Sequence, residues 1–200
     1  MSIIEDDSIQ EMVLDQARRS AAAEVATKFL NGHRFKQSIR FTDGEIQDNL
    51  ELSCFTLPSS IQEILNNYQS DSELTLKTPS PATLPITVSP ICNNKSAIII
   101  PNLKLDVHSL VSDHVQYELE GVLCRLNQVD VVFVRHGPSN EWYYNQDKHP
   151  LKKAAPELSH KINQIISSKS IEDSLALLDS VYFIISPIFF NAVRYFYKRL

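Results

Sequence analysis

The chain reads Tyr117-Glu-Leu-Glu-Gly-Val-Leu-Cys124, then Val129-Asp-Val-Val-Phe-Val-Arg135, then Trp142-Tyr-Tyr144, and these three segments are rich in β-branched and aromatic residues. Residues of these types favour strands. Asn127-Gln128 lies between the first two segments and is short enough for a two-residue hairpin turn. The spacing therefore predicts an antiparallel β-meander around residues 117–147.

The composition of the chain is that of an ordinary globular protein. Its 200 residues are 43% apolar and 22% charged, which suffices for one good core, so we expect a single domain over residues 1–200. The net charge of −5 argues against a nucleic-acid-binding platform, which is usually basic. We therefore expect no nucleic-acid partner.

Cysteine usage bears on the cellular compartment. Cys54, Cys92 and Cys124 are far apart in the sequence, and such an odd, sparse set fits a reducing compartment better than a disulfide framework. The start of the chain shows no secretory signal, so we expect an intracellular protein, cytoplasmic or nuclear. Structural zinc needs four clustered ligands and a phosphate loop needs several glycines, so no metal and no cofactor are expected.

Two helices are predicted in the first third of the chain. Apolar residues recur at helical spacing from Ile9 to Phe29, after a Ser-x-x-Glu capping box that starts at Ser8, and predict an N-terminal helix over residues 8–30. A role of this helix in packing is favoured over the binding of a partner. A second box of the same kind starts at Ser60.

The remaining segments complete an α+β fold. Residues 69–97 are rich in Ser, Thr and Pro, so we expect a loop or short edge strands there rather than a central strand. Short helices are predicted over 157–168 and 170–179. The apolar run 181–186 predicts a closing strand, and 187–200 predicts an amphipathic C-terminal helix.

The order of these elements resembles the fingers and palm of the ubiquitin-specific proteases, a family of ubiquitin carboxyl-terminal hydrolases. The resemblance covers roughly residues 29–186 and implies a truncated, papain-like palm. The segments that carry it are Phe29-Leu-Asn-Gly32, Ser38-Ile-Arg-Phe41, Leu50-Glu-Leu-Ser53, Leu57-Pro-Ser-Ser-Ile61, Tyr117-Glu-Leu-Glu-Gly-Val122, Phe133-Val-Arg135, Trp142-Tyr-Tyr144 and Ser180-Val-Tyr-Phe-Ile-Ile185.

The catalytic residues of the family are not matched. Active members have a nucleophilic cysteine in an N-terminal box, but no cysteine precedes Phe29 here. Val129-Asp130 stands where the family has His-Tyr, and the loop that presents the histidine is reduced to Asn127-Gln128. The third catalytic position maps to Asn145 or Gln146. The zinc cysteines of the fingers also have no counterpart.

These departures decide the expected function. Thiol proteolysis requires a thiolate and an adjacent base, and valine neither accepts nor donates a proton. The resemblance therefore implies an inactive, pseudoenzyme-like member of the family that acts as a scaffold or adaptor in a larger complex. We expect protein partners, with weak or no ubiquitin binding.

A replacement triad of Cys124, His136 and Asp147 is not favoured. In a hairpin that turns at Asn127-Gln128, Cys124 faces Val131, and His136 lies roughly 16 Å away along the ladder. A nucleophile and its base must approach to about 3 Å. Cys124 is therefore interpreted as a buried, apolar-like residue. The chain also contains scattered histidines that lack the spacing of metal ligands: His108, His114, His136, His149 and His160.

Four residues are candidates for binding a partner. Strand alternation places Trp142 and Tyr144 on one face, assigned to the core, and leaves Tyr143 for the surface. On the predicted C-terminal helix the candidates are Arg194, Phe196 and Tyr197.

Two alternative functions stay open. One is an unrelated α+β enzyme with an unrecognised site, which a thiol-directed ubiquitin probe would reveal. The other is a membrane-peripheral protein that uses the basic, aromatic C-terminal helix, although contact with a membrane is not the favoured interpretation. The apolar run before this helix is too short to span a bilayer.

Overall fold

The fold is an α+β arrangement of one large mixed sheet, two small two-stranded sheets and five helices among the described residues. The computed structural model describes residues 4–30, 39–40, 46–47, 49–54, 58–71, 81–90, 98–107, 115–137, 139–146, 150–179 and 182–200. In chain order the elements are α1 (Ile4–Leu30), β1 (Ile39–Arg40), β2 (Ile46–Gln47), β3 (Leu50–Cys54), β4 (Ser59–Ser60), α2 (Ile61–Asp71), β5 (Thr83–Pro90), β6 (Ile99–Ile100), β7 (Lys104–Val107), β8 (Val115–Leu126), β9 (Val129–His136), β10 (Glu141–Gln146), β11 (Lys152–Lys153), α3 (Pro156–Ile166), α4 (Ile171–Asp179), α5 (Tyr182–Phe190) and β12 (Ala192–Arg199).

The large sheet is built around the predicted meander. Its strand order is β11-β10-β9-β8-β12-β5-β3, and β7 pairs with β8 beyond the end of β9. All of these pairs are antiparallel except β3 with β5. The meander β8-β9-β10, the α+β class and the helices α3 and α4 are confirmed.

Helices cover both faces of this sheet. On one face, α2 to α5 enclose the main core, which includes the fully buried Trp142 and Tyr195. On the other face, α1 packs through Ala22, Ala26 and Phe29 against β8, β9 and β10. A sheet buried on both faces has little strict alternation of apolar and polar residues.

The local helix signals are confirmed in part. Ser60 and Glu63 form the reciprocal capping box of α2, with the Ser60 amide donating to Glu63 Oε2 at 3.1 Å and the Glu63 amide donating to Ser60 Oγ at 3.3 Å. The N-terminal helix is also present, but it begins at Ile4. Ser8 therefore lies inside α1 and is not its cap.

The predictions for the C-terminal region were wrong. The expected closing strand 181–186 is largely the helix α5, and the expected C-terminal helix 187–200 contains the strand β12, which lies between β8 and β5. In β12, Tyr195 and Tyr197 face the main core while Phe196 faces α1. A strand buried on both faces gives the same continuous apolar run as a buried helix.

The prediction for residues 69–97 was wrong in one respect. β5 is an eight-residue interior strand that contains Pro85. Proline is tolerated because β3 pairs with β5 only from Ile86 onward, so that β12 is the one neighbouring strand paired at Pro85.

Candidate functional site: the protease-like hairpin and the docked helix

The β8–β9 hairpin has the tight turn that the sequence predicts. Leu126 pairs with Val129 and Cys124 pairs with Val131, as expected. Asn127 and Gln128 form the turn with φ angles of 48° and 69°. Both angles are in the left-handed region required by a type I′ turn. Val129, which the sequence resemblance aligns with the histidine of the ubiquitin-specific proteases, therefore follows the turn directly, with no intervening loop.

Cys124 lies inside the main core on the same face as Val129. It is fully buried between Val131 of β9 and Ala192 of β12. Burial raises the pKa of the Cys124 thiol, because the thiolate would lose its hydration. This thiol therefore stays protonated and is enclosed on all sides by the sheet and its helices.

The two candidates for the third catalytic position pair with adjacent residues of β9. Asn145 pairs with Val132, which contacts the α1 side, whereas Gln146 pairs with Val131 on the Cys124 side. Paired residues of an antiparallel ladder share a face. Asn145 is therefore on the α1 side of the sheet, away from Cys124.

His136 lies at the far end of β9 from the turn. It pairs with Glu141 of β10 and is half-buried. The neighbouring Arg135 is buried and ties the strands together, donating to the Leu119 carbonyl at 2.8 Å, Glu118 Oε1 at 2.9 Å and Asn140 Oδ1 at 2.8 Å. His136 is thus separated from Cys124 along the ladder.

Metal ligation finds no support among the side chains that the structure describes. No group of three or more His, Cys, Asp or Glu residues is placed to hold an ion there. His160 is exposed on α3. The candidate catalytic and metal-ligating residues named from the sequence that lie outside the described residues are Cys92, His108, His114, Asp147 and His149.

Three of the four predicted partner-binding residues are buried, so their expected exposure was wrong. Tyr143 is fully buried beneath α1, although Trp142 does lie in the main core as predicted. Phe196 and Tyr197 are fully buried on opposite faces of β12. Arg194 is half-buried on the same strand. The membrane alternative loses its basis, because it required these aromatic residues on an exposed helix.

A polar cluster joins the middle of α1 to β10 and β11. Lys153 Nζ lies 2.9 Å from Glu141 Oε1 and 3.4 Å from Asp15 Oδ1, and the Tyr143 hydroxyl donates to Glu141 at 3.0 Å. Burial of Glu141 alone would raise its pKa, but the hydrogen bonds from Lys153 and Tyr143 outweigh it and lower the pKa. The hydrogen bond with Glu141 is the main reason that the pKa of Lys153 is raised.

The C-terminal half of α1 is held by an aromatic contact that sequence reasoning missed. The rings of Phe29 and Phe196 are stacked, with centroids 4.0 Å apart and planes at 5°. The Phe29 ring fills the space beside Gly121, where a Cβ would lie 2.4 Å from Phe29 Cε2. A glycine within a strand pattern signals this kind of close approach.

A half-buried carboxylate lies near the same end of α1. Burial raises the pKa of Glu120, and the positive charges of Lys198, Lys28 and His136 lower it by less. Lys28 of α1, His136 of β9 and Lys198 of β12 thus act electrostatically on this carboxylate of β8. It has no arrangement of groups suited to catalysis.

No helix in the described ranges is both long and apolar enough to cross a membrane. A scan of protein families and a search of curated proteins find no match to the sequence.

The fold does match solved structures at low identity. The structure of the yeast SAGA DUB module with an Sgf73 mutant aligns with a TM-score of 0.51 at 13% identity, over 83% of this chain and 38% of that chain. A second structure of the SAGA DUB module gives a TM-score of 0.47 at 10% identity, over 82% of this chain and 36% of that chain. The crystal structure of an essential yeast splicing factor gives a TM-score of 0.45 at 13% identity, over 94% of this chain and 47% of that chain.

These values bear on the fold alone. The chain spans less than two fifths of the first matching structure, with 38% of that chain covered. That match is consistent with a ubiquitin-protease-like α+β fold, as the sequence resemblance implies.

Proposed function

We propose that this chain is a non-catalytic, ubiquitin-protease-like protein that acts as a scaffold or adaptor through contacts with other proteins. The observation that supports the proposal is the two-residue turn at Asn127 and Gln128, followed directly by Val129. Acyl transfer to a thiol needs a base that accepts the thiol proton. Val129 cannot be that base.

The surroundings of Cys124 argue against a substitute nucleophile in the same cleft. Its side chain is fully buried, and burial raises its thiol pKa. Reactive cysteines instead have lowered pKa values and partial exposure. An extended peptide such as a ubiquitin tail would have to displace side chains of the main core to reach this sulfur.

Protein partners, an intracellular location in the cytoplasm or nucleus, and weak or absent ubiquitin binding belong to the same proposal. The first matching structure comes from a module of several proteins, which is a property of that yeast module. For this chain, a role within a larger assembly is consistent with its acidic net charge, its protease-like fold and a valine, rather than a proton acceptor, at position 129.

The proposal is tested with ubiquitin that carries a thiol-reactive electrophile at its C-terminus, and with ubiquitin joined to a fluorophore. We expect no covalent adduct and no release of fluorophore, while an active ubiquitin-specific protease gives both. A one-to-one adduct that is abolished by Cys54→Ser, Cys92→Ser or Cys124→Ser would identify a nucleophile and overturn the proposal. Direct titration with ubiquitin should give a Kd weaker than about 10 μM.

A further inference from the structure

The exposed large apolar side chains of the described residues are concentrated in the N-terminal half of α1. Met12 is 72% exposed, Val13 63% and Leu14 54%, and Leu200 at the chain end is the only other. Exposing three consecutive large apolar side chains to water does not stabilise the helix. An exposed apolar patch of this kind commonly marks a site of interaction.

This half of α1 projects beyond the contacts that dock the helix. Asp15, through its ion pair with Lys153, is the first α1 residue whose described polar contacts reach the sheet. The apolar docking contacts begin only at Ala22. At about 1.5 Å per residue, the segment from Ile4 to Leu14 extends about 15 Å past that ion pair.

Val13 faces away from the docked side of the helix, and Met12 and Leu14 lie on either side of it. At about 100° per residue, Val13 lies roughly opposite Ala22, which packs on the sheet. Ala17 is exposed and lies one turn from Val13 on the same face. A small residue at this position lets a second helix approach closely beside Met12 and Val13.

The charge of the segment selects the partner. No basic residue precedes Arg18, whereas α1 up to that point contains Glu5, Asp6, Asp7 and Glu11, besides Asp15, which is already paired with Arg19 and Lys153. Two copies of this segment would repel each other, which argues against self-association. A basic partner would be attracted, and the attraction would fall with salt.

We propose that the N-terminal half of α1 docks a basic amphipathic helix of another protein along the face formed by Met12, Val13 and Ala17. The inference rests on the proposed scaffold function and names the chemistry of its partner. Apolar anchors on a helix, flanked by charges that complement the other partner, form a common mode of helix recognition. The buried aromatic residues of the sheet take no part in it.

The test uses the full chain and a labelled peptide of about 18 residues in which leucines form one helical face and lysines the other. Its control peptide carries glutamate in place of lysine. Met12→Gln with Val13→Gln removes apolar side chains without a change of charge, and Thr27→Gln is the control change at an exposed, uncharged position on the docked half. Fluorescence anisotropy measures binding, and circular dichroism with thermal melting verifies that all variants fold.

We expect the lysine peptide to bind at least about tenfold more tightly than the glutamate peptide. The M12Q/V13Q variant should bind it at least about tenfold more weakly, whereas the control variant should stay within about twofold. Raising the salt from about 0.05 M to about 0.5 M should weaken binding.

Equal binding of both peptides, no binding, or equal binding by the two variants would overturn the inference. Dimerisation of the wild-type chain in sedimentation, lost in M12Q/V13Q, would instead assign this face to a second copy. Turnover of ubiquitin would contradict the proposed function and leave peptide binding unchanged. Failure of the proposed function and failure of the docking inference therefore give different results.

Discussion

Replacing Gly121 with alanine tests whether α1 is an integral part of the folded sheet. An added Cβ would lie 2.4 Å from Cε2 and 2.9 Å from Cδ2 of Phe29, and 2.7 Å from the carbonyl oxygen of Phe133. All three distances are shorter than van der Waals contact. Phe29 cannot yield easily, because its ring is stacked on Phe196.

The expected loss of stability follows from the clashes with the Phe29 ring and with the Phe133 carbonyl oxygen. Overpacking of a buried site costs about 1–3 kcal/mol, and the backbone obstacle at Phe133 places Gly121→Ala toward the upper end, at about 2–3 kcal/mol. Phe29→Ala should cost about 3–5 kcal/mol, because Phe29 is buried. When both are changed, only the clash with the Phe133 carbonyl remains. We therefore expect the double variant to be about 1–2 kcal/mol more stable than the sum of the single effects.

Urea unfolding of the four proteins in this cycle measures the coupling. Trp142 is the only tryptophan and is fully buried on the opposite face, so its fluorescence reports unfolding of the sheet rather than detachment of α1 alone. Met12→Ala combined with Gly121→Ala is the control, and its effects should add within about 0.3–0.5 kcal/mol. A coupling between Phe29 and Gly121 no larger than that control value would refute the docked position of α1.

Three further variants test the hairpin and the sheet faces. Gln128→Gly should stabilise the chain by about 0.5–1 kcal/mol, because Gln128 has a φ of 69°, and an unchanged urea midpoint would contradict the tight turn. Burial raises the pKa of Glu120 in the folded state, so the folded state loses stability as the pH rises from the ordinary value of 4.5 through the raised value. Glu120→Gln should therefore raise the urea midpoint near neutral pH, with a gain that shrinks as the pH falls toward 4.5. A gain that is independent of pH would contradict this cause. Arg135→Met should cost about 2 kcal/mol through its lost hydrogen bonds, whereas Arg125→Met, at an exposed ion pair, should change the urea midpoint little.

The central part of the fold could be predicted because its signals are local. The hairpin register follows from a two-residue turn between segments of strand-forming residues, and the start of α2 follows from the Ser60–Glu63 box. The position of Val129 could be derived in the same way. Each of these features depends on residues that are close in sequence.

The C-terminal region could not be predicted, because tertiary contacts decide its structure. The segment Tyr182–Phe190 has the composition of a strand but forms α5, with Pro187 inside the helix. β12 has the composition of an amphipathic helix, and its strand structure depends on its two neighbouring strands and on α1. Periodicity does not separate these cases when all sides of a segment are buried.

The burial of Tyr143 shows the same limit for the candidate site. Alternation correctly placed Tyr143 on the face opposite Trp142, but exposure of that face depends on whether a distant helix covers it. Gly121 was the available signal, since a glycine within a strand often permits close approach of another group. Interpreting it required knowing that Phe29 is the group that approaches.

The turn at Asn127–Gln128 and the docking of α1 concern opposite faces of one sheet. Val129 shares the face of Cys124, whereas α1 contacts Val132 and Val134 on the other face. A change in the hairpin therefore alters the place where a proton acceptor would stand without touching α1. Likewise, Met12 and Val13 can be replaced without disturbing the hairpin. The proposed lack of catalysis and the proposed recognition of a partner thus depend on different faces of this sheet, and an experiment can refute either one while the other holds.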